Sequence, residues 1–450
     1  MTGVDERLES QIGQWRGYVQ RRQAISAADV AEMEDHLREQ ISELNAAGLA
    51  ADEAFLVAVK RMGSIDAISR EFAREHSERL WKQLVLVPVP GEGRQAPTRE
   101  LPVVLALAAA AGCAITIAVP AGIDENLFAR TVSLFVLPFL AGYFAWKRRL
   151  GPRALAALAV PFVLAAVLLV TFPSEHDGAT EVLAAIHAPL VGWFAVGFAY
   201  AGGEWRSDRR RMDFIRFTGE WVVYLTLIAL GGLVLLGLTI GAFDALKLND
   251  ADEVVVEWVV RFGPAGAVVI AAWLVEAKQN VVENIAPVLT KVFTPVTIAM
   301  LAVLLAGFVA AGDLVEADRQ LLILMDVILV VVLGLLLYAI SARDPLLPAD
   351  LFDKLQLVLV GLALVVDVVM LTAMLTRIAE FGLSANKTVA LGLNLLLAVN
   401  LTWSARLLAG FVVGRGSFHA TERWQTRYLP VFGLWAALVL VAVPPLFGFE

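Results

Sequence analysis

A chain of 450 residues that is 58% hydrophobic, only 18% charged and has a mean hydropathy of +0.71 is too apolar to be a string of water-soluble domains, which run at about 45–50% apolar and about 25% charged. The same figures exclude a disordered or collagenous chain. The single cysteine, Cys113, leaves no intrachain disulfide to form, and a formal net charge of −8 does not describe a nucleic-acid binder.

The charge is unevenly placed. The first 100 residues hold 30 of the 80 charged side chains, which leaves the other 350 residues about 14% charged. Lipid is therefore the expected solvent for most of the chain, with a soluble appendage at the amino-terminal end. The first apolar run of membrane length starts around Leu101. It is expected to act as an uncleaved signal anchor, with no cleaved leader ahead of it and the preceding segment in the cytoplasm.

The appendage, residues 1–87, reads as helical. Leu8, Ile12, Trp15 and Val19 form one amphipathic stripe. Ser26 and Asp29 have the spacing of a capping box ahead of a second helix carrying Val30, Met33, Leu37, Ile41 and Leu44, which Gly48 closes. A third helix runs from Ala54 to Met62, and Ser64 caps a fourth bearing Ile65, Ile68 and Phe72. These stripes either pack on one another as a small bundle or leave one face to dock a partner helix. The interleaved acidic and basic residues do not make a nucleic-acid recognition helix.

The stretch Met33-Glu34-Asp35-His36-Leu37-Arg38, then Glu43 to Gly48, Glu53-Ala54 and Met62-Gly63-Ser64, resembles the permease prefix domain. That is a small helical module ahead of bacterial membrane permease segments, often associated with PadR-type regulators. The resemblance covers roughly residues 8–80. It implies this architecture and a bacterial origin, and no chemistry; a protein partner for the appendage is suggested separately by its amphipathic stripes and the flexible linker that follows.

Pro88, Pro90, Gly91, Gly93 and Pro97 mark a linker over residues 88–100. Residues 101–450 then carry about eleven apolar segments near 20 residues long, enough to cross a hydrocarbon core of ~30 Å. They fall near 101–120, 130–147, 153–172, 181–202, 219–243, 254–275, 292–312, 320–341, 355–376, 386–408 and 427–447. The predicted fold is an all-α polytopic membrane helix bundle with a small amino-terminal cytoplasmic helical domain.

The loops test this assignment. Lys147, Arg148, Arg149 and Arg153 follow the second span, Arg206, Arg209, Arg210, Arg211 and Arg216 the fourth, and Arg406, Arg415, Arg423 and Arg427 surround the loop after the tenth. Asp124, Glu125, Glu175, Asp177, Asp244, Asp250, Asp313 and Glu316 occupy the intervening loops. Basic loops on the inner side place the amino terminus in the cytoplasm and Glu450 outside.

Ionisable and amide side chains inside spans are the candidate functional residues, because each charge costs about 2.5–3.5 kcal/mol or more when it faces lipid. Asp367 lies near the middle of span nine, Asp326 two turns into span eight, and His187 at a similar depth in span four. Glu257 and Arg261 stand at i, i+4 near the outer end of span six, and span ten adds Asn394 and Asn400. Converging, they would form an outward-facing polar cavity or an ion or proton relay; otherwise they tie helices together. At the inner end of span six, Glu276, Asn280, Glu283 and Asn284 share one face of a polar helix, where two carboxylates and two amides suit a hard cation or simply face water. Trp424 and Tyr428 fit an interfacial aromatic belt.

Gly219-Glu220-Trp221, Lys278 to Asn284, Ser341 to Asp344, Ser384 to Lys387 and Glu422 to Gln425 give residues 210–450 a resemblance to a bacterial multi-pass membrane family of unknown function. No hydrolase elbow, zinc-protease motif, Walker loop or Cys/His metal spacing occurs. No catalytic residue, metal or cofactor is expected, and nothing in the pattern sets an oligomeric state. Two functions remain: a permease whose midplane acids couple ions or protons to transport, and a membrane-bound sensor or scaffold whose appendage binds a cytoplasmic protein. A lipid-directed enzyme resting on Glu276 and Glu283 is a third.

Overall fold

The computed structural model describes residues 8–9, 11–13, 27–46, 49–61, 100–118, 125–173, 178–245, 249–277, 285–311, 319–345 and 347–449. Every regular element among these is helical. The chain divides into two units, Met1–Arg94 and Gln95–Glu450.

In the first unit, α1 (Ala27–Ala46) and α2 (Ala51–Arg61) pack through Leu37, Ile41, Leu44, Ala54 and Ala58, with Ile12 completing the cluster. This is the apolar stripe read from the sequence. Arg38 crosses its polar edge, pairing with Glu9 and with Glu34 one turn back at 2.9 Å. Hydrogen bonds to Glu9 and Glu34 raise the guanidinium pKa further, so it stays charged at any physiological pH. Most of the predicted first helix, the caps at Ser26, Gly48 and Ser64, the fourth helix and the Pro/Gly linker lie outside the described residues.

The second unit is an integral membrane body, with eleven helices among the described residues long and apolar enough to span a bilayer. They are α3 (Leu101–Ala118), a broken second span, α6 (Pro152–Thr171), α7 (Ala179–Tyr200), α8 (Asp208–Ala245), α9 (Asn249–Ala277), α10 (Ile285–Ala311), α11 (Arg319–Ala342), α12 (Leu351–Phe381), α13 (Ala385–Val412) and α14 (Phe418–Leu446). The broken span comprises α4 (Glu125–Thr131), a 3₁₀ turn over Val132–Phe135 and α5 (Leu137–Lys147). Pro138 lies in the first turn of α5, where its missing N–H and its ring forbid an unbroken ladder through the preceding turn. Several helices outrun the apolar segments that announced them: α8 starts at Asp208 where hydropathy begins near 219, and α14 at Phe418 where it begins near 427. Backbone hydrogen bonding carries a helix into the interface after its side chains have become polar.

Two cores organise the body. The first joins α3, α5, α7, α8 and α9 around stacked aromatics, with Trp193 and Trp221 rings 4.3 Å apart and Phe144 edge-on to Phe217 at 5.2 Å. The second joins α10 to α13 through Leu329, Leu336, Leu359, Val366, Leu397 and Leu401. Helix α14 packs on both α7 and α13 and bridges the two. Close approach there depends on Gly392, whose position would put a Cβ 2.0 Å from the Trp435 ring. Outward-facing side chains such as Leu233, Leu235 and Val303 are exposed and apolar, as a lipid-facing surface requires.

Candidate functional site

Three polar residues sit on neighbouring helices of the second core, Asp367 on α12, Asp326 on α11 and Asn394 on α13. Asp367, in the middle of α12, is 0% exposed, and neither carboxylate oxygen has a hydrogen-bond partner among the described residues. Asp326 stands on α11, which packs against α12. Asn394 of α13, also wholly buried, donates from Nδ2 to Asp326 Oδ1 at 2.8 Å and to its own helix at Ala390 O, 2.9 Å. Both amide hydrogens are spent, and Asn394 Oδ1 remains a buried acceptor without a partner among the described residues. A buried polar atom left unmatched costs about 1–3 kcal/mol. Two such positions on adjoining helices are unusual for a packed interior.

Asp326 also lines a cavity of 490 Å³, within the size range of ligand pockets. Helix α13 forms its floor, and α7 and α11, each packed against α13, form its sides. Val182 and Ile186 of α7 and Leu322 and Ile323 of α11 make apolar walls; Val182, Ile186 and Ile323 remain 48–55% exposed, so the cavity also has a lipid-facing flank. His187 lies on the α7 side, with Nδ1 2.8 Å from Leu183 O. A carbonyl only accepts, so Nδ1 carries the hydrogen and Nε2 is the acceptor of the neutral ring.

The turn joining α12 and α13 closes one end of the cavity, with Arg377 of α12 on one side of it and Ser384, Asn386 and Lys387 on the other. Ser384 caps α13, and Lys387 Nζ donates to Gly382 O at 2.8 Å, holding the α12 terminus. Gly382, at φ +72°, permits the reversal. At 1.5 Å rise per residue, Asn394 lies roughly 10 Å below Lys387 along α13, and Asp367 roughly 15 Å below Arg377 along α12. Arg377, Lys387 and Asp326 thus line one cavity, and Asp367 stands further along α12 from the turn.

The other sequence candidates are placed differently. Asn400 exchanges hydrogen bonds with Gln425 of α14 at 2.9 and 3.4 Å, and Gln425 Nε2 donates to Ser404 at 2.7 Å. That network is closed and ties α13 to α14. Glu276, its side chain 3% exposed, pairs with Lys147 at 3.2 Å and Arg148 at 3.0 Å, linking α9 to α5. Arg261 is partly buried on α9, while the side chain of Glu257 and all of Asn280, Glu283 and Asn284 lie outside the described residues. No group of three or more His, Cys, Asp or Glu side chains is arranged to hold a metal among the described residues.

Sequence reasoning missed Arg377 and Lys387 as members of the site, although both flank a tight Gly382–Leu383–Ser384 turn between two spans. It also missed Arg343, whose guanidinium forks onto Asp353 at 2.7 and 2.8 Å and gathers the loop between α11 and α12 through the Leu347 and Pro348 carbonyls. No family model matches the chain, and neither does any curated protein or solved structure.

Proposed function

We propose that this integral membrane protein is a permease-like transporter of the bacterial cytoplasmic membrane, with its amino terminus inside, in which Asp326 and Asp367 couple substrate movement to protons. The appendage is its permease prefix domain, available to a cytoplasmic protein partner. One observation carries the reading: Asp367 is wholly buried and its carboxyl group makes no hydrogen bond among the described residues. An ionised carboxylate in that position costs several kcal/mol without an opposing charge, and it returns nothing as a tie between helices. A proton removes the charge and with it most of the cost of burial.

On this account a proton enters the outer cavity and reaches Asp326, which Asn394 orients through its 2.8 Å bond. It then passes inward to Asp367, and repulsion between the two carboxylates favours one shared proton over none.

The test uses the purified full-length chain in vesicles loaded with a pH-sensitive dye, under a potassium diffusion potential. Proton uptake above that of protein-free vesicles is expected, falling to the protein-free rate in Asp367→Asn and Asp326→Asn. Uptake no faster than in protein-free vesicles, or unchanged in Asp367→Asn, overturns the proposal.

A further inference from the structure

The outer cavity has a charge pattern that selects among occupants. Its rim carries Arg377 and Lys387, and the amino-terminal turn of α13 capped by Ser384 adds backbone N–H groups of the same polarity. Its deep end carries Asp326, with His187 on the opposing helix. Between the two ends the lining is apolar, through Val182, Ile186, Ile323 and Leu393. The axial offset between Lys387 and the Asn394 level, where Asp326 is held, is roughly 10 Å.

Resting on the reading of this cavity as a substrate site, we infer that it takes an elongated zwitterion with an apolar middle. An anionic group sits at Arg377 and Lys387, and an ammonium group about one eight-carbon chain away sits at Asp326. Both ends of such a molecule meet an opposite charge, and its methylenes lie against the apolar walls. A simple organic anion satisfies the rim but leaves Asp326 facing hydrocarbon, and an anionic lipid does the same with its acyl chain. A simple amine satisfies Asp326 but brings its apolar end to the cationic rim. Burying a charge against an unmatched partner is the penalty that separates these occupants.

The experiment is calorimetric titration of the full-length protein, in nanodiscs of phosphatidylcholine, with 8-aminooctanoate, octanoate and octylamine. No gradient is imposed, so binding is read apart from proton movement. The zwitterion is expected to bind at least tenfold more tightly than either single-charge analogue. Arg377→Gln is expected to erase its advantage over octylamine, with Arg377→Lys restoring part of it. Asp326→Asn, which keeps an oxygen for Asn394, is expected to erase its advantage over octanoate, with Asp326→Glu as the charge-preserving control. Equal binding of octanoate and the zwitterion, binding of none of the three, or a preference that survives Arg377→Gln and Asp326→Asn overturns the inference. Zwitterion binding in nanodiscs by protein that shows no proton uptake in the vesicle assay would instead overturn the coupling mechanism and leave this ligand assignment standing.

Discussion

Replacing Asp367 with asparagine separates a functional acid from a structural one. The two side chains have nearly the same volume, so no cavity or overpacking term enters. Asp367 makes no hydrogen bond among the described residues, so none is lost. What the substitution removes is the cost of a carboxyl at the centre of a span, about 2.5–3.5 kcal/mol for insertion of an aspartate there. Asparagine remains polar and recovers only part of that, so Asp367→Asn should be as stable as the parent or up to about 2 kcal/mol more stable. Gln425→Leu is the contrast. It breaks the exchange with Asn400 and the 2.7 Å bond to Ser404, and stranding buried amide atoms should cost about 1–3 kcal/mol. Both are read by titrating the protein in mild detergent with a denaturing one and following tryptophan fluorescence, the chain having 11 tryptophans. A loss of more than about 1 kcal/mol in Asp367→Asn, matching Gln425→Leu, would show that Asp367 holds the bundle together and would refute the reasoning.

Further outcomes follow from particular contacts. Gly392→Ala forces a methyl against the Trp435 ring, 2.0 Å from the built Cβ, and should destabilise by about 1–3 kcal/mol in the same titration, while Gly361→Ala, with nothing within 4 Å, should not. Arg343→Ala strands Asp353, whose side chain is 2% exposed, and should cost about 3–5 kcal/mol. Arg343→Lys should recover only part, because an ammonium cannot fork onto a carboxylate or lie flat against Phe411 and Phe418, whose ring centres are 4.6 and 4.4 Å away. In a Cys113→Ser background, Leu383→Cys should react with an impermeant thiol reagent in intact cells and Val413→Cys only after permeabilisation; both side chains are 66% exposed at opposite ends of α13. The reverse pattern would invert the orientation assigned from the basic loops.

What the sequence disclosed and what it withheld divide along physical lines. Spans are local: a run of apolar residues needs no partner to be recognised, and eleven stand among the described residues, the second broken by a 3₁₀ turn. Their ends were misplaced where polar residues continue the helix, as at Asp208 and Phe418. Asp326, Asp367 and His187 stood out because charge and imidazole are rare in such runs, yet nothing local distinguishes Asn394 from Asn400. The difference lies in distant partners. Asn394 meets an acid 68 residues away, and Asn400 meets Gln425 in a closed amide exchange. Glu276 likewise read as part of a cation-binding face, but it meets Lys147 and Arg148 from a helix more than 120 residues earlier. The cavity itself depends on α7 standing beside α13, a tertiary fact without a periodic signature.

Proton coupling through these acids requires a cavity that opens to the outer side and ends at Asp326, with Asp367 sealed behind it. Site-directed cysteine accessibility measures this in the full-length protein lacking Cys113. Asp326→Cys is predicted to react with a charged, membrane-impermeant thiol reagent applied from outside, and Asp367→Cys to resist it from either side in the resting protein. An Asp326→Cys that is inert from outside, or labelled only from the cytoplasmic face, would contradict the account.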